Sequence, residues 1–474
     1  MLRKLFAATT AISLIACTAI AAPAPAPAPS PTAGEAAFRE LYKELVETNT
    51  TLSAGDCTLA ASRLAARLKA AGYADADVNV WSVPEHPKEG GLYAQLKGSD
   101  ARAKPVLMLG HIDVVEAKRE DWTRDPFTLI EEDGFFYGRG TYDDKAMSAV
   151  WVDSLIRYKQ EGYKPKRTIK LALTCGEETN GAFNGAEYLA KNQRDLIDAE
   201  FAINEGGGGQ MDPSGKPVFS GIQVGEKLSQ NYTLEVTNPG GHSSRPMPDN
   251  AINQLAFGLT KIAQYKFPVT FNDTTRAFFK EMATIRGGDE GKAMLALIAD
   301  PKDAAATATL EANPDYSRIL HTTCIATLLD AGHATNALPQ RARANVNCRI
   351  FPGTTAEDVR KQLETIVADP AIKITIRETR NAPAPPPPLD DKVIGPAVKL
   401  AKQMYPGVPN LMIMQAGATD GAFLTPVGIP TYGISGMFID ADGNGVHGLN
   451  ERIRVKTLMD GRAYLYQLMK AYAG

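Results

Sequence analysis

Cysteine is scarce in this chain: five in 474 residues, no pair at C-x-x-C spacing, which excludes a disulfide-dense scaffold and a structural zinc ribbon. Neither sign of charge dominates. With 51 basic and 54 acidic residues the formal charge is −3, so the basic footprint of a nucleic-acid binder is missing. Hydrophobic residues at 44% and charged residues at 22% leave room for neither wholesale disorder nor a multi-span membrane protein. At roughly 100–200 residues per domain the length points to about three domains, or two with one of them large.

The N-terminus has a secretory layout. Arg3 and Lys4 precede an apolar stretch from Leu5, and small residues follow up to Ala19-Ile20-Ala21. A signal peptide over 1–21 predicts a secreted or periplasmic protein with no membrane span after processing. The alternative is a lipid anchor on Cys17, since Leu14-Ile15-Ala16-Cys17 resembles a bacterial lipoprotein box. Residues 22–34 form a Pro/Ala-rich spacer of extended character. A second proline-rich stretch at 382–388 marks a seam inside the chain.

Between these stretches two patterns alternate. Residues 105–110, 168–174 and 199–204 are apolar, strand-like runs separated by helical patterns such as 145–159; this is the signature of an α/β sheet whose strands are buried on both faces. Residues 232–237, 250–265, 322–331, 342–350, 355–367 and 373–378 instead read as β-α-β-β-α-β, the ferredoxin-like order, with an extra helical stretch at 275–312. The expected organisation is therefore one α/β unit, 35–225 and 382–474, interrupted by an α+β unit over 226–381.

Parallel strands place ligands beyond their carboxyl ends. After 105–110 comes His111-Ile112-Asp113, and Asp143 and Asp144 stand just before a helix. Residues 168–174 run into Cys175-Gly176-Glu177-Glu178, and 199–204 into Glu205 and four glycines. Each alone reads as a solvated turn or helix cap. Together, converging carboxylates repel one another unless cations neutralise them, so the set argues for metal.

Here the sequence resembles a known family: the dinuclear-zinc peptidases that include aminoacylase, carboxypeptidase S, carnosinase and succinyl-diaminopimelate desuccinylase, the twentieth metallopeptidase family. The stretches that carry the resemblance are GHIDVV (110–115), GRGTYDDK (138–145), GEETNG (176–181), NEGGG (204–208), GGHSSRP (240–246), NALP (336–339), NCRIFPG (347–353), GATDG (417–421) and VHGLNE (446–451). The resemblance implies a zinc-peptidase catalytic domain with a mixed, largely parallel sheet, interrupted by a ferredoxin-like lid and dimerisation domain. It implies that Asp143 bridges two zinc ions, with cobalt or manganese as substitutes. His111 and Glu205 would complete one site, Glu178 and His447 the other. Asp113 would orient the His111 imidazole, and Glu177 would act as general base on a water shared by the two ions.

From the lid, His242 would reach the partner's active site to stabilise the oxyanion, which requires at least a homodimer. Asn336 and Arg349 would grip a substrate's terminal carboxylate, with Thr419 adding a contact. The implied activity is that of an exported carboxypeptidase or dipeptidase; an N-acyl-amino-acid deacylase shares every motif, and a catalytically silent binder would not need Glu177. His86, His321 and His333 fall outside the motifs and read as structural. Cys175 needs only to be small and apolar, whereas Cys324 and Cys348 flank Asn336 at equal separation and could face each other across a hairpin.

Overall fold

The computed structural model describes residues 34–179, 183–247, 249–377 and 384–474. The signal peptide, the lipoprotein-like box, the spacer up to residue 33 and residues 382–383 of the second proline-rich stretch lie outside the described residues. Among the described residues no helix is long and apolar enough to cross a membrane.

The larger sheet has ten strands. Its order is Val78–Val83, His86–Leu96, Ile169–Thr174, Val106–His111, Phe201–Asn204, Thr431–Gly433, Pro217–Glu226, Gly208–Met211 and Phe438–Ile439, with Asn410–Gln415 also pairing Pro217–Glu226. Val106–His111 and Ile169–Thr174 are buried at every position, which is why they read as unbroken apolar runs. Val106–His111 lies parallel to both of its neighbours, Ile169–Thr174 and Phe201–Asn204. Three adjacent strands thus deliver their carboxyl ends to one edge.

Helices Glu35–Glu47, Cys57–Ala70, Lys145–Gln160, Asp391–Met404 and Val455–Ala473 cover one face of this sheet, and Gly185–Asn192 with Gly421–Leu424 the other. Cys57–Ala70 shows the local logic. The Asp56 side chain accepts the Leu59 N–H and starts the helix, and Cys57, Ala60, Ala61, Leu64, Ala65 and Leu68 make the buried stripe that i, i+3, i+4 spacing produces.

The smaller sheet has four antiparallel strands in the order Thr323–Ala331, Arg341–Ile350, Leu228–Thr237 and Lys373–Arg377. Helices Ala251–Gln264 and Ala356–Val367 pack on one face around Leu234, Leu255, Val346 and Leu363. The extra helical stretch is four helices, Asp273–Arg286, Gly288–Ala299, Ala304–Glu311 and Pro314–Leu320. Its apolar side chains pack not on the smaller sheet but on Leu411 and Met414 of the larger one, because that strand flanks the sheet and needs cover.

Among the described residues two disulfides are present. Cys324 and Cys348 stand directly opposite each other in the antiparallel pair and are bonded. Cys175 departs from the expectation of an unpaired thiol: it is bonded to Cys57 at the start of its helix, 118 residues away. A partner that distant leaves no spacing signal in the sequence.

Candidate metal centre

His111 is the last residue of Val106–His111, Glu177 and Glu178 follow Ile169–Thr174 across the Cys175-Gly176 turn, and Glu205 follows Phe201–Asn204. Gly176 has φ +94° and an added Cβ would meet the Phe183 carbonyl oxygen at 2.0 Å, so only glycine permits this turn. Asp143 arrives from the loop before Lys145–Gln160, and its peptide to Asp144 is cis. His447 arrives from the far end of the chain with a left-handed φ of 58°, a conformation that surrounding structure must hold in place for a branched-ring side chain.

All five expected ligands meet. Asp143 Oδ1 lies 3.2 Å from His111 Nε2 and Asp143 Oδ2 lies 3.2 Å from His447 Nε2. The same carboxylate therefore faces both imidazoles, one oxygen each. Glu205 Oε2 is 3.6 Å from His111 Nε2, and Glu178 Oε1 is 2.9 Å from His447 Nε2. The arrangement divides into His111, Asp143 and Glu205 on one side and His447, Asp143 and Glu178 on the other. Glu177 stands with the first set: one ligand atom from each of His111, Glu177 and Glu205 lies within 4.8 Å of the others.

Electrostatics shows what this crowding does to the bare protein. Burial raises the Glu177 carboxyl well above the usual range, and the Glu205 charge raises it further. Burial likewise lifts Glu178 and pushes Glu205 up to about 7. Burial also opposes ionisation of Asp143, yet His111 and His447 hold it well below the ordinary carboxylate range. Hydrogen bonds to Asp143 and Glu178 push His447 up to about 10. The site is built from carboxylate oxygens and imidazole nitrogens, the donor set that divalent zinc, cobalt or manganese takes.

Asp113 lies against the His111 ring. The His111 Nδ1 partner is the Asp113 main-chain carbonyl at 3.1 Å, and the carboxylate is farther away at 3.6 Å. That carboxylate instead accepts the backbone N–H groups of Glu177 and Glu178, at 3.3 and 3.0 Å. One residue fixes both the imidazole tautomer and the acidic turn. Thr419 is held at the foot of its motif: its N–H and hydroxyl both donate to Glu226 Oε2, at 3.1 and 2.9 Å, while its oxygen accepts the Gly421 N–H.

His242 and Asn336 are brought to each other but not to the centre. The short strands Gly241–His242 and Ala337–Leu338 pair, and Ser243 N–H donates to the Asn336 carbonyl. Both side chains are exposed, and His242 Nδ1 accepts from the Ser244 hydroxyl at 2.8 Å. Arg349, half-buried on Arg341–Ile350, makes no ion pair among the described residues. Of the remaining histidines, His86 pairs with Glu89, and His321 bonds the Phe267 carbonyl and Glu311.

Two supports had no assigned part. Glu451 Oε1 accepts the Tyr142 and Asp143 N–H groups and its Oε2 accepts Gly140 N–H and the buried Arg139 guanidinium. Asp420 accepts the Thr174 hydroxyl and the Asn184 amide. Both lie inside quoted motifs, VHGLNE and GATDG, and that position was the available signal.

Known proteins agree with this architecture. Human N-fatty-acyl-amino acid synthase/hydrolase PM20D1 is 30% identical over 79% of this chain and 75% of its own. A Dictyostelium discoideum protein named "Probable carboxypeptidase S-like 2" is 28% identical over 79% of this chain and 73% of its own. Among solved structures, an M20 family metallo-carboxypeptidase of Sulfolobus solfataricus superposes with a TM-score of 0.69 at 19% identity, covering 92% of this chain and 99% of that one. Human carnosine dipeptidase 1 gives 0.63 at 18% identity, over 92% and 96%. The model of peptidase family M20/M25/M40 matches residues 107–471, a span that includes every residue of the centre, and the chain belongs to that family.

Proposed function

We propose that this M20 hydrolase cleaves the amide bond next to a free carboxylate, as a carboxypeptidase or dipeptidase, at a centre holding two divalent cations, zinc in the first instance. The observation that carries the reading is one carboxylate, Asp143, facing two histidines with a half-buried acid, Glu177, alongside. His111, Asp143 and Glu205 would hold one ion, and Asp143, Glu178 and His447 the other. When bound, two such ions supply an acidified water and a polarising charge for an amide carbonyl.

The chain's own groups do the rest. The Asp113 carbonyl keeps the proton of His111 on Nδ1, so that Nε2 presents its lone pair to the centre. Glu177 takes a proton from water and passes it to the leaving nitrogen. A carboxyl lifted toward neutrality suits both halves of that transfer. Arg349, without an ionic partner of its own among the described residues, is suited to a bidentate grip on the substrate carboxylate. His242 and Asn336, exposed and side by side, act in this reading on the partner subunit's centre.

A homodimer through the smaller sheet is supported by its edge strand Thr323–Ala331, where Ile325, Leu328 and Leu329 are 63–68% exposed. Phe257, 68% exposed on the adjacent helix Ala251–Gln264, extends that patch. An apolar open edge of this kind invites pairing with a second copy. Export, whether as a soluble or a Cys17-anchored protein, is supported by the two disulfides, which persist in oxidising compartments.

A second reading, hydrolysis of N-acyl amino acids, is favoured by the 30% identity to PM20D1. Both are tested by a panel of dipeptides, longer peptides and N-acyl amino acids assayed with zinc, cobalt, manganese and a chelator. Turnover that survives prolonged chelation sinks the dimetal proposal.

A further inference from the structure

Asp420 is 1% exposed and belongs to neither group of ligand atoms at the centre. A buried carboxylate is costly unless donors require it; packing alone would be served better by an apolar side chain of similar size. Its contacts show which donors those are. Oδ2 accepts the Thr174 hydroxyl at 2.5 Å, and Thr174 pairs with His111 at the ends of their parallel strands. Oδ1 accepts the Asn184 amide at 2.8 Å. The same amide nitrogen donates its second hydrogen to the Gly176 carbonyl at 3.2 Å, while Asn184 Oδ1 accepts the Glu187 N–H at 2.8 Å and caps Gly185–Asn192. Three contacts thus fix the Asn184 side chain in one orientation.

The Gly176 carbonyl and the Glu177 N–H belong to one peptide unit. Asn184 holds that unit at its oxygen, and the Asp113 carboxylate holds it at its nitrogen, 3.3 Å away. Thr179 also donates its hydroxyl to the Gly176 carbonyl, at 3.3 Å, but it rides on the same turn and cannot locate that turn against the sheet. The Gly185 N–H reaches only the Cys175 carbonyl, one residue upstream. The plane from which the Glu177 and Glu178 side chains depart is therefore gripped from two sides, and one of those grips runs through Asn184 to Asp420. Asp420 is itself held firmly. Its carbonyl accepts the Phe423 N–H at 3.1 Å, and its neighbour Thr419 is bonded twice to Glu226 at the end of Pro217–Glu226.

We propose that Asp420 is a positioning residue: through Asn184 and Thr174 it sets the Glu177–Glu178 turn at a fixed place relative to the His111 strand end, without touching substrate or metal. The inference rests on the reading of Glu177 as base and Glu178 as ligand, and it adds the group that places both.

The test exchanges the two partners, Asp420→Asn and Asn184→Asp, singly and together. Asp420→Asn sets two amides against each other and Asn184→Asp sets two carboxylates together, so each alone is expected to lower both Tm and kcat. The double exchange restores one carboxylate–amide contact with donor and acceptor reversed, and residue 184 still caps its helix, but the Gly176 carbonyl then faces a carboxylate. A merely structural role makes Tm and kcat recover together. Positioning makes Tm rise above that of either single variant while kcat at saturating zinc stays about 10–100-fold below wild type, with KM changed far less. Zinc affinity, titrated against a chromophoric chelator, needs no turnover and is expected to weaken by about the same factor.

Recovery of kcat and zinc affinity along with Tm overturns the assignment, as does a loss carried by KM alone. If circular dichroism shows that the exchanges at 184 prevent folding, Thr174→Ser against Thr174→Val decides. Serine keeps the hydroxyl that Asp420 accepts and is expected to exceed valine about tenfold in kcat; equal values overturn the proposal. Wild-type protein that binds zinc and hydrolyses no amide sinks the hydrolase reading alone, and the zinc titration still decides whether Asp420 places the turn.

Discussion

The five candidate ligands and the His242–Asn336 pair sit in motifs of similar clarity, but the fold treats them differently. The ligands come from five separate places in the chain and end in mutual contact. His111 is almost wholly buried, and the Glu178 side chain is only 5% exposed. His242 and Asn336 stand beside a two-residue ladder, His242 paired with Ala337 and Ser243 N–H donating to the Asn336 carbonyl, and both face solvent. The first group meets within one chain because three strand ends converge on one sheet edge and the loops that carry Asp143 and His447 fold over it. The second belongs to a loop of the smaller sheet, and among the described residues no hydrogen bond or ion pair joins it to the centre. A buried cluster and an exposed pair are therefore separable, and each can be broken without the other.

The largest expected effect lies at the centre. Glu177→Gln should keep the metal content measured by atomic absorption while kcat falls by about 10³ or more; near-normal turnover would falsify the base assignment. The next test addresses the exposed pair. Glu177→Gln and His242→Ala should each be nearly inactive alone. Mixed after dissociation and reassociation they should recover about a quarter of wild-type activity, since random pairing leaves one complete site in each heterodimer. No recovery, or a fully active monomer in sedimentation, removes the action in trans.

Stability separates the two regions as well. Removing the Cys57–Cys175 bond by double serine substitution should cost about 2–4 kcal/mol in urea unfolding. It closes a separation of 118 residues against 24 for Cys324–Cys348, so chain entropy makes its loss the larger by roughly 1.4 kcal/mol. Equal losses would show that strain or residual structure outweighs loop entropy. A pH-dependent test concerns Glu226, whose carboxyl burial pushes up to about 8 from an unfolded value of about 4.3. The folded state then binds more protons than the unfolded one between those values, and stability falls as pH rises through that window. Glu226→Gln should match wild type in Tm near pH 4 and exceed it by pH 8; a difference independent of pH would mean that the Thr419 contacts, not the charge, dominate.

Much of this was legible before any coordinates. Val106–His111 and Ile169–Thr174 announce themselves because a strand buried on both faces must be apolar throughout. The ferredoxin-like order was readable because each of its strands and helices carries its own periodicity. His447 was reached only through the family resemblance, since nothing near it in the chain suggests a ligand. The Cys57–Cys175 bond, the Arg139–Glu451 pair and the packing of the helical insert on Leu411 and Met414 had no local signature. Asp113 and Thr419 stand out in their motifs, but the contacts of Asp113 with the Glu177 and Glu178 N–H groups and of Thr419 with Glu226 had no signal in the sequence.

What the sequence determined by itself is the kind of each element and the kind of each functional group: buried strands, amphipathic helices, and oxygen and nitrogen donors at strand ends. Those follow from side-chain chemistry and short-range periodicity, which the chain carries residue by residue. Which atom meets which was decided only by the tertiary structure. Contacts such as Asp113 carboxylate to the Glu177 and Glu178 N–H groups, or Thr419 to Glu226, join segments tens to hundreds of residues apart. Their geometry is set by how strands register and helices pack, and no spacing along the chain encodes it.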